Sequence, residues 1–262
     1  MQQYGYWPLP DDLVKLHDEI IGYGLEVHRA ADIKFAQEHR FPVSYGALFT
    51  LHWNAIVIHR SIRTLCEAGW TPSTPILIRT LLEIIASCYA IVVNHENAEY
   101  MSFKFIGSYL IQSVKDADTS EALRSENRKQ LDGLRGQLQG KDAERADELV
   151  KNYKPQSYWY SPEFRGPGEI LKQAKNDLQF MYRQFSGSSH GGFLSALLFD
   201  DSPDMAKINP EEHPRRRRSA VVASSRLLLD ISFLRGQFEG VATVEAYKAI
   251  VKDLILPQKE RI

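Results

Sequence analysis

The sequence predicts an all-α fold: a single helical bundle of about eight helices, with an exposed, charged helical hairpin. Three observations lead to it. Apolar residues recur at intervals of three and four along most of the chain. No alternating apolar and polar run is bounded by hairpin turns. And 262 residues, 44% hydrophobic and 25% charged, form a chain that can bury a core without staples.

The elements follow in order. Asp11 and Asp12 after Pro10 cap a first helix running to about Glu38, with Leu13, Leu16, Ile20, Tyr23 and Val27 as its stripe. Phe41-Pro42 breaks it. A second helix spans about Val43 to Ala68, and Gly69 stops it. Pro72 and Pro75, interleaved with Thr71, Ser73 and Thr74, suit a turn that caps a third helix, about Pro75 to Val93. After a short break a fourth helix covers about Ala98 to Lys115.

The stretch 119–154 is dense in charge, with Leu123, Leu131, Leu134 and Leu138 as a thin apolar line. It reads as a solvated helical insertion broken near Gly140 and packed on the bundle. A mobile arm or a partner-binding helix is the functional alternative. The loop from Tyr158 to Gly168 is aromatic and rich in Pro and Gly, fit to cover a cleft or plug a core edge. A further helix starts near Glu169 and reaches at least Phe185, with Leu171, Ala174, Leu178, Met181 and Phe185 as its core stripe. Phe193 to Phe199 forms a helical turn or two, and Asp200 to Pro214 a loop. A long pair, about 216–240 and 243–256, ends the chain. Residues 1–262 read as one all-helical domain.

Several function classes are excluded. With 32 Lys and Arg against 33 Asp and Glu, the net charge is -1, so only a local basic patch could meet nucleic acid. Cys66 and Cys88 sit in apolar helical patterns and give neither a zinc cluster nor a disulfide framework. The first ten residues lack the order of a signal peptide. The apolar run 75–93 approaches the length of a bilayer span but carries Arg79 and Glu83 near its middle, so it reads as a central core helix. A cytoplasmic protein without membrane, cofactor or metal is expected. No P-loop, G-x-G-x-x-G, H-E-x-x-H or Glu-x-x-His pair occurs.

Two places could carry chemistry. On the third helix Arg79, Glu83 and Ser87 share one narrow stripe, and the rest of the circumference is apolar. A buried Arg and Glu must pair or face a polar cavity. On the later helix Tyr182, Arg183, Ser186 and His190 fall beside the core stripe if the helix continues through Gly187. An arginine fork can hold phosphate oxygens, and a neutral histidine can move a proton near pH 7. Gly187-Ser188-Ser189-His190-Gly191 also fits G-x-S-x-G, but that motif needs a strand before it. His52, His59 and Arg63 share a face of the second helix; they could line the same cavity, but an exposed polar face is the favoured account. The run Arg215 to Arg218 opposes the dipole of a helix start, so it suits an acidic partner or a phosphate. The bland account is a solvated basic end paired with Glu211 and Glu212.

Ile78-Arg79-Thr80-Leu81-Leu82-Glu83, after a Gly-Trp-x-Pro turn, together with Tyr182, Ser186 and His190, resembles a family of uncharacterised bacterial all-helical proteins. That family carries an Arg-x-Leu-x-Glu helix and a later Tyr-x-x-x-Ser-x-x-x-His segment. The resemblance spans roughly Val43 to Phe199 and names no activity. More distantly, Arg183 with His190 is similar to the Arg-x(4 to 6)-His motif of HEPN (higher eukaryotes and prokaryotes nucleotide-binding) domains, many of them metal-independent ribonucleases of toxin and phage-defence systems. That resemblance implies a homodimer in which Arg183 steadies the scissile phosphate and His190 moves the proton of the ribose 2′-hydroxyl. Gln184 after the arginine, and Gly187 inside the motif, depart from the usual pattern.

Three readings follow. The first is a HEPN-like ribonuclease or an RNA or nucleotide binder, with Arg183 and His190 catalytic and Arg79, Glu83, Tyr182 and Ser186 at the substrate. The second is a non-enzymatic interaction or regulatory module, in which Arg79, Glu83 and His190 close into a satisfied network. The third is a small-molecule enzyme using Glu83 and His190 as acid and base under the aromatic loop. Near-neutral charge favours the second and third, and the arginine run favours the first.

Overall fold

The computed structural model describes residues 7–39, 41–69, 71–154, 159–189 and 212–259. Among them every regular element is a helix. The order is α1 (Asp11–Gln37), α2 (Val43–Glu67), α3 (Thr74–Val92), α4 (Ala98–Lys115), α5 (Glu121–Gln137), α6 (Gly140–Asn152), α7 (Pro167–Ala174), α8 (Asn176–Ser189), α9 (Glu212–Phe238), α10 (Val244–Ile250) and α11 (Leu256–Lys259). A π turn, Val251–Ile255, joins the last two, and short 3-10 turns precede α3 and α4.

Two helices form the centre. α9 lies against α1, α2 and α3. Its Leu227, Leu228, Leu229 and Ile231 are all fully buried, so it is covered on nearly every side. α3 packs on α2, α7, α8 and α9. It is the helix among the described residues that is long and apolar enough to cross a membrane, yet 61% of its most apolar window is buried in the protein. The α1 stripe faces the core as its spacing requires, with Leu13, Leu16, Ile20 and Val27 buried.

α5 and α6 stand on α4 over a second, smaller core. Leu131, Leu138 and Ala146 meet Phe103, Leu110 and Ile111 there, whereas Leu123 is exposed. Ser120 caps α5 by accepting from the Leu123 amide, and Asn127 Nδ2 donates to Ser113 Oγ at 2.7 Å. The aromatic loop plugs a core edge: Tyr160 is buried, and Trp159 Nε1 donates to Ser87 Oγ at 3.4 Å. Buried Lys104 fastens this loop to α4 through the Ser161 carbonyl and Glu163, each at 2.5 Å. Tyr158 lies outside the described residues.

Three boundaries differ from the sequence reading. The single helix from Glu169 is two, α7 and α8, parted at Lys175, whose backbone is extended (φ -162°, ψ 139°). The break leaves the neighbouring amides bonded. Lys175 N closes α7 on the Leu171 carbonyl, and Asp177 Oδ1 accepts from Leu178 N. α8 then runs through Gly187 to Ser189, because one interior glycine costs only about 1 kcal/mol. α9 starts at Glu212, earlier than expected, which puts Pro214 in the first turn, where a missing N–H is harmless. The turn expected at 193–199 lies outside the described residues.

Candidate functional site

Arg79, Glu83 and Tyr182 come together at the edge of α3 that meets α8. Arg79 Nε donates to Glu83 Oε1 at 3.0 Å, and its guanidinium carbon stands 5.8 Å from the Tyr182 ring centroid. The pair is not fully buried as expected: the side chains are 21% and 41% exposed. The same flank of α3 opens to solvent at Ile76, which is 55% exposed. Ser186 follows one turn beyond Tyr182, half-buried, while Arg183 is exposed on α8. His190 lies outside the described residues. The G-x-S-x-G match begins on the last turn of a helix, so the strand that motif needs is not before it.

Beside this pair a cleft of about 370 Å³ opens between the start of α3, the end of α8 and the first turns of α9. Ile78 and Phe185 supply apolar walls, Thr74 and Ser219 hydroxyls, and Arg215 and Arg216 the charge. Its described lining holds no carboxylate. The inner half of the arginine run behaves differently from the solvated end the sequence suggested. Arg217 is buried, and its Nη2 donates to the Trp7 and Pro8 carbonyls. Arg218 pairs with Asp12 at 2.9 Å and donates to Gln258 Oε1. Helical spacing turns these two inward, where they bolt the N-terminal segment and the last helix onto α9. Glu211 lies outside the described residues, and of Glu212 the backbone alone is described.

His52 and His59 are the main correction. They are fully buried rather than an exposed polar face. They belong to two polar layers where α1, α2 and α9 meet. In one, fully buried Arg235 donates Nε to Glu239 Oε2 at 2.9 Å, and Nη1 to His28 Nδ1 at 2.6 Å and His52 Nδ1 at 3.1 Å. Both protons of Nη1 are then used, which places the His52 proton on Nε2. That nitrogen donates to Ser232 Oγ at 2.9 Å, and Ser232 donates to the Leu228 carbonyl at 2.8 Å. Gly24 makes the room: a Cβ there would lie 3.3 Å from both His52 Nε2 and Ser232 Oγ.

The other layer repeats the pattern. His59 Nδ1 lies 2.9 Å from Ser224 Oγ, which donates to the Val221 carbonyl. The His59 ring stacks on His17 at 4.5 Å. Burial, then the Arg235 charge, pushes His52 down to about 3; burial likewise lowers His17, His28 and His59. Burial pushes Glu239 up to about 7 against the opposing pull of Arg235. His17 also backs an open groove of about 620 Å³, whose lining sets Arg60 and Arg63 against Asp18 and Glu67. Its lining carries charges of both signs.

Spacing could have revealed these layers. His17 and His28 are three turns apart, His52 and His59 two, Ser224 and Ser232 about two, and Arg235 and Glu239 one. No cluster of three His, Cys, Asp or Glu that could hold a metal occurs among the described residues.

A family model described as "Family of unknown function (DUF5677)" matches residues 45–206. The chain belongs to that family. The match runs from α2 past α8, so it includes the Arg79, Glu83 and Tyr182 cluster, while α1 and α9 flank it. No curated protein and no solved structure matches the chain.

Proposed function

We propose that the chain binds a phosphate-bearing ligand, RNA or a nucleotide, in the cleft at the start of α9. One observation carries this reading: that cleft sets Arg215 and Arg216 against an apolar wall with Phe185 and the hydroxyls of Thr74 and Ser219. Planar guanidinium forks suit phosphate oxygens, and the positive end of a 27-residue helix adds to them. An aromatic face accepts a base by stacking.

In the enzymatic form of the proposal the protein is a HEPN-like, metal-independent ribonuclease of a bacterial defence or toxin system, acting in the cytoplasm. Arg183 steadies the scissile phosphate and His190 moves the 2′-hydroxyl proton. Two features support it. Arg183 is exposed on α8 two residues before Phe185, and α8 stays helical through Gly187. A second reading, a non-enzymatic interaction module, draws on the way Arg79, Glu83 and Tyr182 are committed to one another.

The test is to incubate the protein with RNA without metal, beside Arg183→Ala and His190→Ala, and to measure binding of a labelled 5′-mononucleotide by the parent and by Arg215→Ala/Arg216→Ala. Binding lost in the double variant, with cleavage lost in His190→Ala, is the expected result. Binding without cleavage keeps the phosphate-binding reading and removes its enzymatic form. Binding indifferent to the double variant overturns the proposal.

A further inference from the structure

A second cavity, about 240 Å³, lies on the other side of the Arg215 side chain. Its walls are Pro8, Pro10 and Pro214 with Arg215, Arg217 and Arg218, and its described lining again holds no carboxylate. Arg215 therefore serves both cavities. Asp12 answers Arg218 by an ion pair, but Arg217 forms no ion pair among the described residues. Arg217 is only 8% exposed, and its Nε is buried with no hydrogen-bond partner. A buried donor without a partner is costly, and the Glu67 carboxylate that bears on the Arg217 charge lies outside the cavity lining. The first turn of α9, which carries Pro214, faces the same cavity with the positive end of its dipole.

We infer that this cavity is a second phosphate subsite, and that the ligand of the proposed cleft is a single-stranded RNA rather than a mononucleotide. The inference rests on the phosphate-binding reading above. The chain crosses the start of α9, with one phosphate over Arg215 and Arg216 and a neighbouring one against Arg217. Proline walls leave no side-chain acceptors to compete with it. Single strands suit the geometry better than a duplex, because a base must be splayed out to reach Phe185.

The experiment uses the full chain with a fluorescein-labelled single-stranded oligoribonucleotide of about twelve residues and, separately, a labelled 5′-mononucleotide, each titrated from 50 to 200 mM salt. The oligonucleotide is expected to bind about ten-fold or more tightly than the mononucleotide. Its plot of log affinity against log salt is expected to be steeper by about 0.7 for each added phosphate. Arg217→Ala removes two bonds to the N-terminal segment and can fail to fold, so Pro8→Glu is the second variant. It keeps the Pro8 carbonyl that Arg217 holds and puts a carboxylate at the cavity mouth. It is expected to lower oligonucleotide affinity about ten-fold and mononucleotide affinity by much less, the latter only through the shared Arg215. Equal affinity and equal slope for the two ligands overturn the second subsite while leaving the first reading in place. So does an oligonucleotide affinity indifferent to Pro8→Glu, or a poly-glutamate peptide binding as tightly as RNA. If neither nucleic-acid ligand binds, both readings fall.

Discussion

Arg235→Met severs the centre of the deeper polar layer. The side chain is fully buried and holds Glu239, His28 and His52 through two nitrogens. Methionine fills most of the volume but leaves a buried carboxyl and two imidazole acceptors without their donor. Breaking a buried pair in this way costs about 3–5 kcal/mol. For a chain of this length that is a fall in Tm of roughly 6–20 °C, at roughly 2–4 °C per kcal/mol. The loss also depends on pH. Glu239 titrates near 7 beside the arginine, against an ordinary 4.5. Without the arginine it rises further, so stability keeps falling as pH increases past 7, at up to about 1.4 kcal/mol per unit. In the parent this decline stops near 7. Urea unfolding at pH 6, 7 and 8 measures both effects. Arg235→Met/Glu239→Leu, which removes the charges together, is expected to recover at least about 2 kcal/mol relative to the sum of the single variants. A single-variant cost below about 1 kcal/mol, or strict additivity, would refute the reasoning.

Other outcomes follow from the same structure. His52 titrates near 3 when folded against 6.5 when unfolded, so its contribution is lost as pH falls below 6.5, by about 5 kcal/mol at most. The three other lowered histidines act in the same direction and Glu239 in the opposite one. Stability is therefore expected to climb from about pH 4.5 to 6.5, and the His52 ring proton shift should stay flat in NMR from pH 5 to 8; a transition near 6.5 contradicts the burial argument. Glycines on α1 and α9 should respond with opposite signs. Gly22→Ala meets nothing within 4 Å and is expected to raise stability by about 0.5–1 kcal/mol. Gly236→Ala would set its Cβ 2.4 Å from Ala242 Cβ and is expected to cost about 1–3 kcal/mol in urea melts. Leu131→Ala is expected to cost about 2–5 kcal/mol locally and to speed amide exchange in α5 and α6 more than in α3, since Leu131 fills their separate small core. Uniform exchange would place the hairpin in the main cooperative unit.

The sequence alone determined the helices, because an amphipathic period repeats locally and needs no partner to be read. Leu13 through Val27 declared the inner face of α1, and the proline and hydroxyl residues before α3 declared its start. It also singled out Arg79 and Glu83, since charge in an apolar helix is anomalous wherever that helix packs. The break at Lys175 was hidden because residues on both sides continue one apolar stripe. The histidine layers were decided only by tertiary structure. A histidine reads the same in water and in a core, and His52 becomes neutral and buried only when Ser232 and Arg235, some 180 residues away, close over it. The arginine run divided likewise. Arg215 and Arg216 line the larger cleft, while Arg217 and Arg218 hold the N-terminal segment and the last helix, because α9 turns each by about 100° and places a different neighbour against it.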